Sequence, residues 1–297
     1  LLAHEIYQDL TNNGIKCTLR TGEEIIENED DTHISSTIEM LDFSKTYDVA
    51  VIDEIQFLNS LDRGSSWTRA VYGLKAKKIF VIGSLISQQI LEEMIIDRCK
   101  DKLTINKYQR LSELKVKEEH LVPKNFKLEK GDAFIAFSKR DIEKIKQFVL
   151  SKGKTVSIIY GALPPEIKVE EAERFNDGKT DILIATDAIG YGLNLSIKRI
   201  VYTKVHKSYN KQTYPLGAEE FKQISGRAGR FKKFDYGEVV YFNLFNESFY
   251  DSELDEFIYG YEYYQILVEQ LEIFDNFKNA YFFPEIQHIQ EFSRHVG

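Results

Sequence analysis

Two arginines three residues apart close the run Gln223-Ile224-Ser225-Gly226-Arg227-Ala228-Gly229-Arg230. That spacing predicts one helical face carrying both guanidinium groups. Arginine forks match phosphate oxygens, and an arginine finger stabilises charge developing on a transferred phosphoryl group. The glycines let the backbone approach closely. An ordinary basic helix end is the plainer alternative, and it leaves most of the octapeptide unexplained. A second group, Asp53-Glu54-Ile55-Gln56, follows directly on the apolar run Val49-Ala50-Val51-Ile52. Acidic residues at the carboxyl end of a parallel strand project into the crevice where α/β sheets bind ligands. One carboxylate can hold Mg²⁺, often through its waters. Its neighbour can polarise a water for phosphoryl transfer. A lone Asp-Glu pair is common, and a solvated acidic turn is the competing reading. The third group runs from Ile184 to Leu195, where an apolar stretch opens into a loop with Thr186, Asp187, Gly190 and Gly192. Such a loop offers backbone N–H groups to phosphates. Read alone, it is equally a strand-to-helix turn.

These groups need a scaffold, and the chain alternates strand and helix patterns as a parallel α/β sheet does. Residues 49–52 and 79–82 are short, fully apolar runs, predicting strands buried on both faces. Helical periodicity covers 84–97. A polar stretch from His120 to Gly131, containing Pro123, reads as a linker. The pattern then restarts with strands at 133–137, 156–160 and 182–186 and helices at 139–152 and 165–177.

The 297 residues allow one large domain or two ordinary ones. No apolar run approaches the roughly 18 residues of a membrane span. Cys17 and Cys99 stand far apart without Cys or His company, against a disulfide scaffold or zinc site. The net charge of -8 argues against a simple nucleic-acid-coating protein. The average hides a net of -10 over residues 1–60, +13 over 61–233 and -11 over 234–297. A basic centre is possible footing for a polyanion. The segment 234–297 holds 18 of the 38 aromatic residues, but its acidity would repel RNA, so it reads as a packed helical core rather than a base-stacking platform.

The strand ending in Asp53-Glu54-Ile55-Gln56, the loop from Ala185-Thr186-Asp187 to Leu195 and the Gln223–Arg230 run together resemble superfamily 2 RNA helicases. More narrowly they resemble the helicases of the mitochondrial RNA degradosome, the suppressor-of-Var type, and their bacterial relatives. Further stretches carry the likeness: Leu1-Leu2-Ala3-His4-Glu5, Thr21-Gly22-Glu23-Glu24, Ser36-Thr37-Ile38-Glu39-Met40, Arg63-Gly64-Ser65-Ser66-Trp67-Thr68-Arg69-Ala70, Phe137-Ser138-Lys139 and Ile159-Tyr160-Gly161-Ala162-Leu163-Pro164-Pro165.

The resemblance implies an α/β fold of tandem RecA-like domains, the first truncated at its N-terminus, then a short helical region. Its divisions would be 1–122, 123–245 and 246–297. It implies an ATP-dependent RNA helicase, with ATP and Mg²⁺ as cofactors, acting in RNA turnover. By position, Asp53 would coordinate Mg²⁺ and Glu54 activate water. Gln56 and Gln223 would sense the nucleotide, while Asp187 and Gly190 line the cleft between domains. Arg227 and Arg230 would reach the phosphates, Arg230 as the finger. Thr21, Gly22, Thr37, Ser138 and Thr186 would lie along single-stranded RNA, against sugar and phosphate. His206 would lie near the RNA exit. An exoribonuclease partner is implied and no membrane, with the mitochondrial matrix and the bacterial cytoplasm both compatible.

The sequence departs from the family in three places. It holds no GxxxxGK[ST] phosphate loop. Gly14-Ile15-Lys16 and Gly178-Lys179-Thr180 are the nearest runs, and both read as turns. The first domain is therefore expected to be incomplete, with sheet edge exposed, and the chain to be a piece of a longer helicase that alone does not turn over ATP. The competing class is a catalytically incomplete RNA-binding or scaffold module. A box that in the family commonly reads Cys-Gly-Glu is here Ile82-Gly83-Ser84, which places the coupling of hydrolysis to unwinding in question. Tyr191 stands between two glycines, where a smaller side chain is usual.

Overall fold

The computed structural model describes residues 2–60, 63–108, 110–190, 193–209, 212–230, 233–251, 256–275, 281–282 and 285–287. The chain forms two compact units. One takes in the described residues of Leu1–Arg110 and Phe277–Gly297, the other those of Leu111–Asn276.

In the first unit, α1 (Leu2–Asn12) leads into β1 (Cys17–Arg20), which pairs antiparallel with β2 (Ile25–Ile26) and parallel with β3 (His33–Ser36). Next, β4 (Thr46–Ile52) and β5 (Lys75–Val81) run parallel, joined through α2 (Gly64–Gly73). Trp67, Ala70 and Val71 of α2 share a core with Ile52, Ile79 and Val81. The expectation that residues 49–52 are buried on both faces does not hold. Side chains alternate along a strand, so Ala50 and Ile52 turn inward while Val49 and Val51 are 54% and 60% exposed. After β5 come β6 (Gly83–Ser84), the short α3 (Gln88–Glu92), β7 (Lys102–Thr104) and β8 (Lys107–Tyr108). The helix expected over 84–97 is composite: a 3₁₀ turn at Leu85–Ser87, then α3, then a π-helical segment at Glu93–Arg98.

The second unit opens with β9 (Glu113–Leu121), β10 (Asp132–Ile135), α4 (Lys139–Ser151) and β11 (Val156–Ile159). It continues with α5 (Pro165–Asn176), β12 (Ile182–Ala185) and β13 (Arg199–Tyr202). A hairpin of β14 (His206–Tyr209) and β15 (Gln212–Pro215), then α6 (Ala218–Ser225), lead to β16 (Tyr236–Phe242). Six strands form one parallel sheet in the order β11-β12-β10-β13-β16-β9. The central strands β10, β12 and β13 are buried along their length, as their apolar runs require. Rings of Phe126 and Phe242 stack at 4.3 Å within this core. Arg199 at the start of β13 forms a two-point ion pair with the fully buried Asp132, at 2.8 and 2.7 Å.

Residues 113–121, assigned to the first division by sequence, pair with β16 and belong to the second unit's sheet. The described residues of 248–275 also join that unit, as β17 (Ser248–Asp251), β18 (Glu256–Tyr259) and α7 (Gly260–Asp275). Their aromatic residues divide: Tyr264 is fully buried and its hydroxyl donates to the Lys117 carbonyl at 2.9 Å, whereas Phe257 and Tyr259 are exposed. Beyond them, β19 (Tyr281–Phe282) pairs with β6 and β8, and β20 (Glu285–Gln287) lies antiparallel between β5 and β7. Among the described residues β20 covers the second side of β5, and β4 is left as an edge strand of this four-stranded sheet, as the expected exposed sheet edge requires. The two glycine-lysine runs are turns: Gly14 follows α1 with φ +76°, and Gly178 ends α5 with φ +70°.

Candidate functional site

β4 delivers Asp53 and Glu54 at its carboxyl end. Asp53 is exposed, and its Oδ1 accepts the Glu54 backbone N–H at 2.8 Å. Its carbonyl accepts the indole N–H of buried Trp67 at 2.9 Å, which ties the turn to α2. Glu54 adopts a left-handed conformation with φ 55°, a costly state for a residue with a Cβ. It is held from both sides, since Ile55 N–H bonds the Ile82 carbonyl and Ile82 N–H bonds the Ile52 carbonyl. Gln56 completes the arrangement. Its amide nitrogen donates to the Glu54 carboxylate, and its amide oxygen accepts the Ser84 backbone N–H at 3.2 Å. Gly83 is required there, because an added Cβ would lie 2.5 Å from Gln56 Oε1 and 2.9 Å from the Ile55 nitrogen. The contact uses the backbone of Ser84, so a serine in place of the family's glutamate does not break it.

In the second unit, β12 delivers Thr186 and a 3₁₀ turn, Asp187–Gly190. Thr186 Oγ1 accepts the Ala188 N–H at 3.3 Å. Two residues of the Gln223–Arg230 run meet this turn at one atom: Gln223 Nε2 donates to the Gly190 carbonyl at 3.3 Å, and Arg227 donates to the same oxygen. The expected helical face carrying both arginines is not formed. α6 stops at Ser225, and Gly229 takes φ +75° with its backbone against Gly237, where a Cβ would lie 2.4 Å from the Gly237 nitrogen. The turn, rather than a helix, presents Arg230, whose guanidinium reaches Ser196 Oγ at 3.4 Å. Tyr191 and Gly192 lie outside the described residues.

The five residues expected along RNA fall at strand ends. Parallel pairing of Arg20 with Ser36 places Thr21 and Thr37 side by side after β1 and β3. Pairing of Ile135 with Ala185 does the same for the segments carrying Ser138 and Thr186. The Thr21 hydroxyl accepts the N–H groups of Glu23 and Glu24 at 3.3 and 3.0 Å and so shapes its own turn. A Cβ at Gly22 would meet nothing within 4 Å. Thr37 precedes a 3₁₀ turn, Ile38–Met40. Ser138 caps α4, accepting the Asp141 N–H at 3.1 Å and donating to its carboxylate at 2.7 Å. A pocket of about 160 Å³ beside Ser138 is lined by Arg140, Lys144, Lys204, His206 and Ser208. His206 is buried and its Nδ1 has no hydrogen-bond partner among the described residues. Burial, and then Lys204, hold its imidazole below the ordinary value.

Residues 1–108 match the family model described as the DEXQ-box helicase domain of Suv3, and residues 107–232 match that of the helicase conserved C-terminal domain. The chain belongs to the Suv3 helicase family. It is 41% identical over 238 residues to the ATP-dependent RNA helicase SUV3, mitochondrial, of Saccharomyces paradoxus, covering 78% of this chain and 32% of that protein. Against ATP-dependent RNA helicase SUPV3L1, mitochondrial, of Danio rerio it is 41% identical over 252 residues, covering 81% and 33%. The chain thus spans about a third of the length of the curated relatives it matches. Its fold is similar to that of S. cerevisiae Dbp5 bound to RNA and ADP BeF3, with TM-score 0.54 at 14% identity, covering 82% of this chain and 68% of that one.

For a Suv3-family chain the donor set around Asp53 suits a hard cation. An exposed carboxylate at a strand end, with one oxygen oriented by a backbone N–H, matches Mg²⁺, which is held by one or two carboxylates and keeps most of its waters. Among the described residues no group of three or more His, Cys, Asp or Glu converges on a common point. Sequence reasoning missed two parts of this Suv3-family site: the Gln56 bridge to the Ser84 backbone, and the meeting of Gln223 and Arg227 at Gly190. Neither has a local signal, because the partners lie 28 to 37 residues apart.

Proposed function

We propose that this chain is the nucleotide- and RNA-handling part of an ATP-dependent RNA helicase. The observation that carries it is the pair of locked motifs. Glu54 is held in a left-handed turn by Gln56, and the Asp187–Gly190 turn is held by Gln223 and Arg227. Phosphoryl transfer asks little covalent chemistry of a protein and much positioning, and rigidly placed carboxylates and arginines supply it. In this reading Asp53 would hold Mg²⁺, which would supply positive charge for the phosphates. Glu54 takes the proton of the attacking water. Gln56 fixes the Glu54 carboxylate, and Arg230 stabilises charge on the transferred group. The turns at Thr21–Gly22, Thr37, Ser138 and Thr186 hold the RNA backbone. The mitochondrial matrix is the compartment this reading assigns, since the SUV3 and SUPV3L1 relatives are mitochondrial, and an exoribonuclease is the partner implied by the family resemblance.

A second reading follows from a sequence observation: residues 1–297 contain no GxxxxGK[ST] run. By itself this chain then binds RNA without turning over ATP. Assays of RNA binding and of RNA-stimulated phosphate release separate the two. Phosphate release that disappears in Glu54→Gln establishes the enzymatic reading for this chain. RNA binding without phosphate release supports the binding-module reading, and neither activity sinks both.

A further inference from the structure

Lys207 lies on β14, outside all three motif runs, yet its ammonium donates to Asp187 in the turn after β12 and to Glu220 on α6. It also lies 5.6 Å from the ring centroid of Phe137, next to Ser138. One side chain therefore touches the segment carrying Ser138, the turn carrying Thr186 to Gly190, and the helix that carries Gln223 and ends just before Arg227. Its neighbours show why it matters. Lys207, Asp187 and Glu220 are one-third exposed, about 33%, 39% and 28%, in a setting that weakens solvent screening. Burial raises the Glu220 carboxyl, with Asp187 adding to the rise. Burial alone would lower the Lys207 ammonium, but its bonds to Asp187 and Glu220 outweigh this and raise it. Without the cation, two carboxylates that each reach Lys207 Nζ would face one another, and like charges so placed repel.

We propose that Lys207 is a positioning residue that clamps the Asp187–Gly190 turn to α6, so that the RNA-side turn and the helix carrying Gln223 move as one body. The contact of Gln223 and Arg227 with Gly190 anchors one end of that turn, and Lys207 anchors the other. Only the RNA arm of the test rests on the helicase reading.

The test uses the whole chain as wild type, Lys207→Met, Lys207→Arg and Lys207→Met with Glu220→Gln. Hydrogen exchange at Ala188 and Ile189 reads the clamp directly. Lys207→Met is expected to speed it by at least tenfold while the amides of β10 and β13 stay within twofold. Lys207→Arg, which keeps both ion pairs, restores protection. Adding Glu220→Gln to Lys207→Met recovers part of it by removing the repulsion. Binding of a single-stranded oligouridine is expected to weaken about tenfold in Lys207→Met and to return in Lys207→Arg. Unchanged exchange in Lys207→Met overturns the proposal. So does faster exchange spread across the whole sheet, which would make Lys207 a general stabilising residue. A wild-type chain that binds no oligouridine sinks the RNA reading, and the exchange result still decides the clamp.

Discussion

The side-chain amide of Gln56 donates to the Glu54 carboxylate while its oxygen accepts the backbone N–H of Ser84. The box after β5 thus senses the orientation of Glu54 through a single amide, and Gly83 leaves the space for it.

Gly83→Ala tests that arrangement. The new methyl would overlap Gln56 Oε1, and forcing extra volume into a packed site costs about 1–3 kcal/mol. Urea unfolding should register that loss. In any form of the protein that hydrolyses ATP, turnover should fall by up to about 10²-fold, the usual penalty for misplacing a catalytic group by an ångström.

Arg227 and Arg230 are separable. Arg227 is engaged with the Gly190 carbonyl, whereas Arg230 has a long 3.4 Å contact to Ser196. If Arg230 is the finger, Arg230→Ala lowers turnover on the order of 10³-fold and leaves RNA binding unchanged. A loss under tenfold would transfer the role to Arg227.

The Arg199–Asp132 pair is a stability element. Burial pushes the Asp132 carboxyl up, and the Arg199 fork opposes that rise. Arg199→Met strands a buried carboxylate and should cost about 3–5 kcal/mol in denaturant unfolding. Replacing both partners with apolar residues should recover most of it.

His206 sets an acid limit. Lys204 and Arg140 and Lys144 of α4 line its pocket, Glu247 lies 3.7 Å away, and the Phe249 ring packs on it at 4.6 Å. Asp141 is the other nearby carboxylate, and it and Glu247 pull the imidazole upward, but burial and Lys204 prevail. The folded value lies below the unfolded 6.5, so the unfolded chain binds the proton more readily. Stability from this group is full above that pH and is lost as pH falls through the folded value. Melting temperature should drop on acidification below about pH 6, and His206→Gln should flatten that part of the curve.

Much of the second unit was legible in the sequence. The apolar runs 133–137, 156–160 and 182–186 and the helices between them match β10, β11, β12, α4 and α5 to within two residues at each end. β9 was not, because Glu113-Leu114-Lys115-Val116-Lys117-Glu118-Glu119-His120-Leu121 is a charged run, and only its place as the sheet's edge strand makes that composition suitable. The geometry of the Gln223–Arg230 run was not legible. Arginine spacing suggests a helix, while the close approach of Gly229 to Gly237 breaks it.

Residue types and local periodicity alone pointed to the kind of chemistry: carboxylates after an apolar strand, a glycine loop and paired arginines. Tertiary structure decided which of these groups act together. Lys207 meets Asp187 and Glu220, Gln56 meets Ser84, and Arg199 meets Asp132, across 13 to 67 residues of sequence. The physical reason is that a hydrogen bond requires its atoms about 3 Å apart, and for residues so distant in sequence that distance is set by strand order and register.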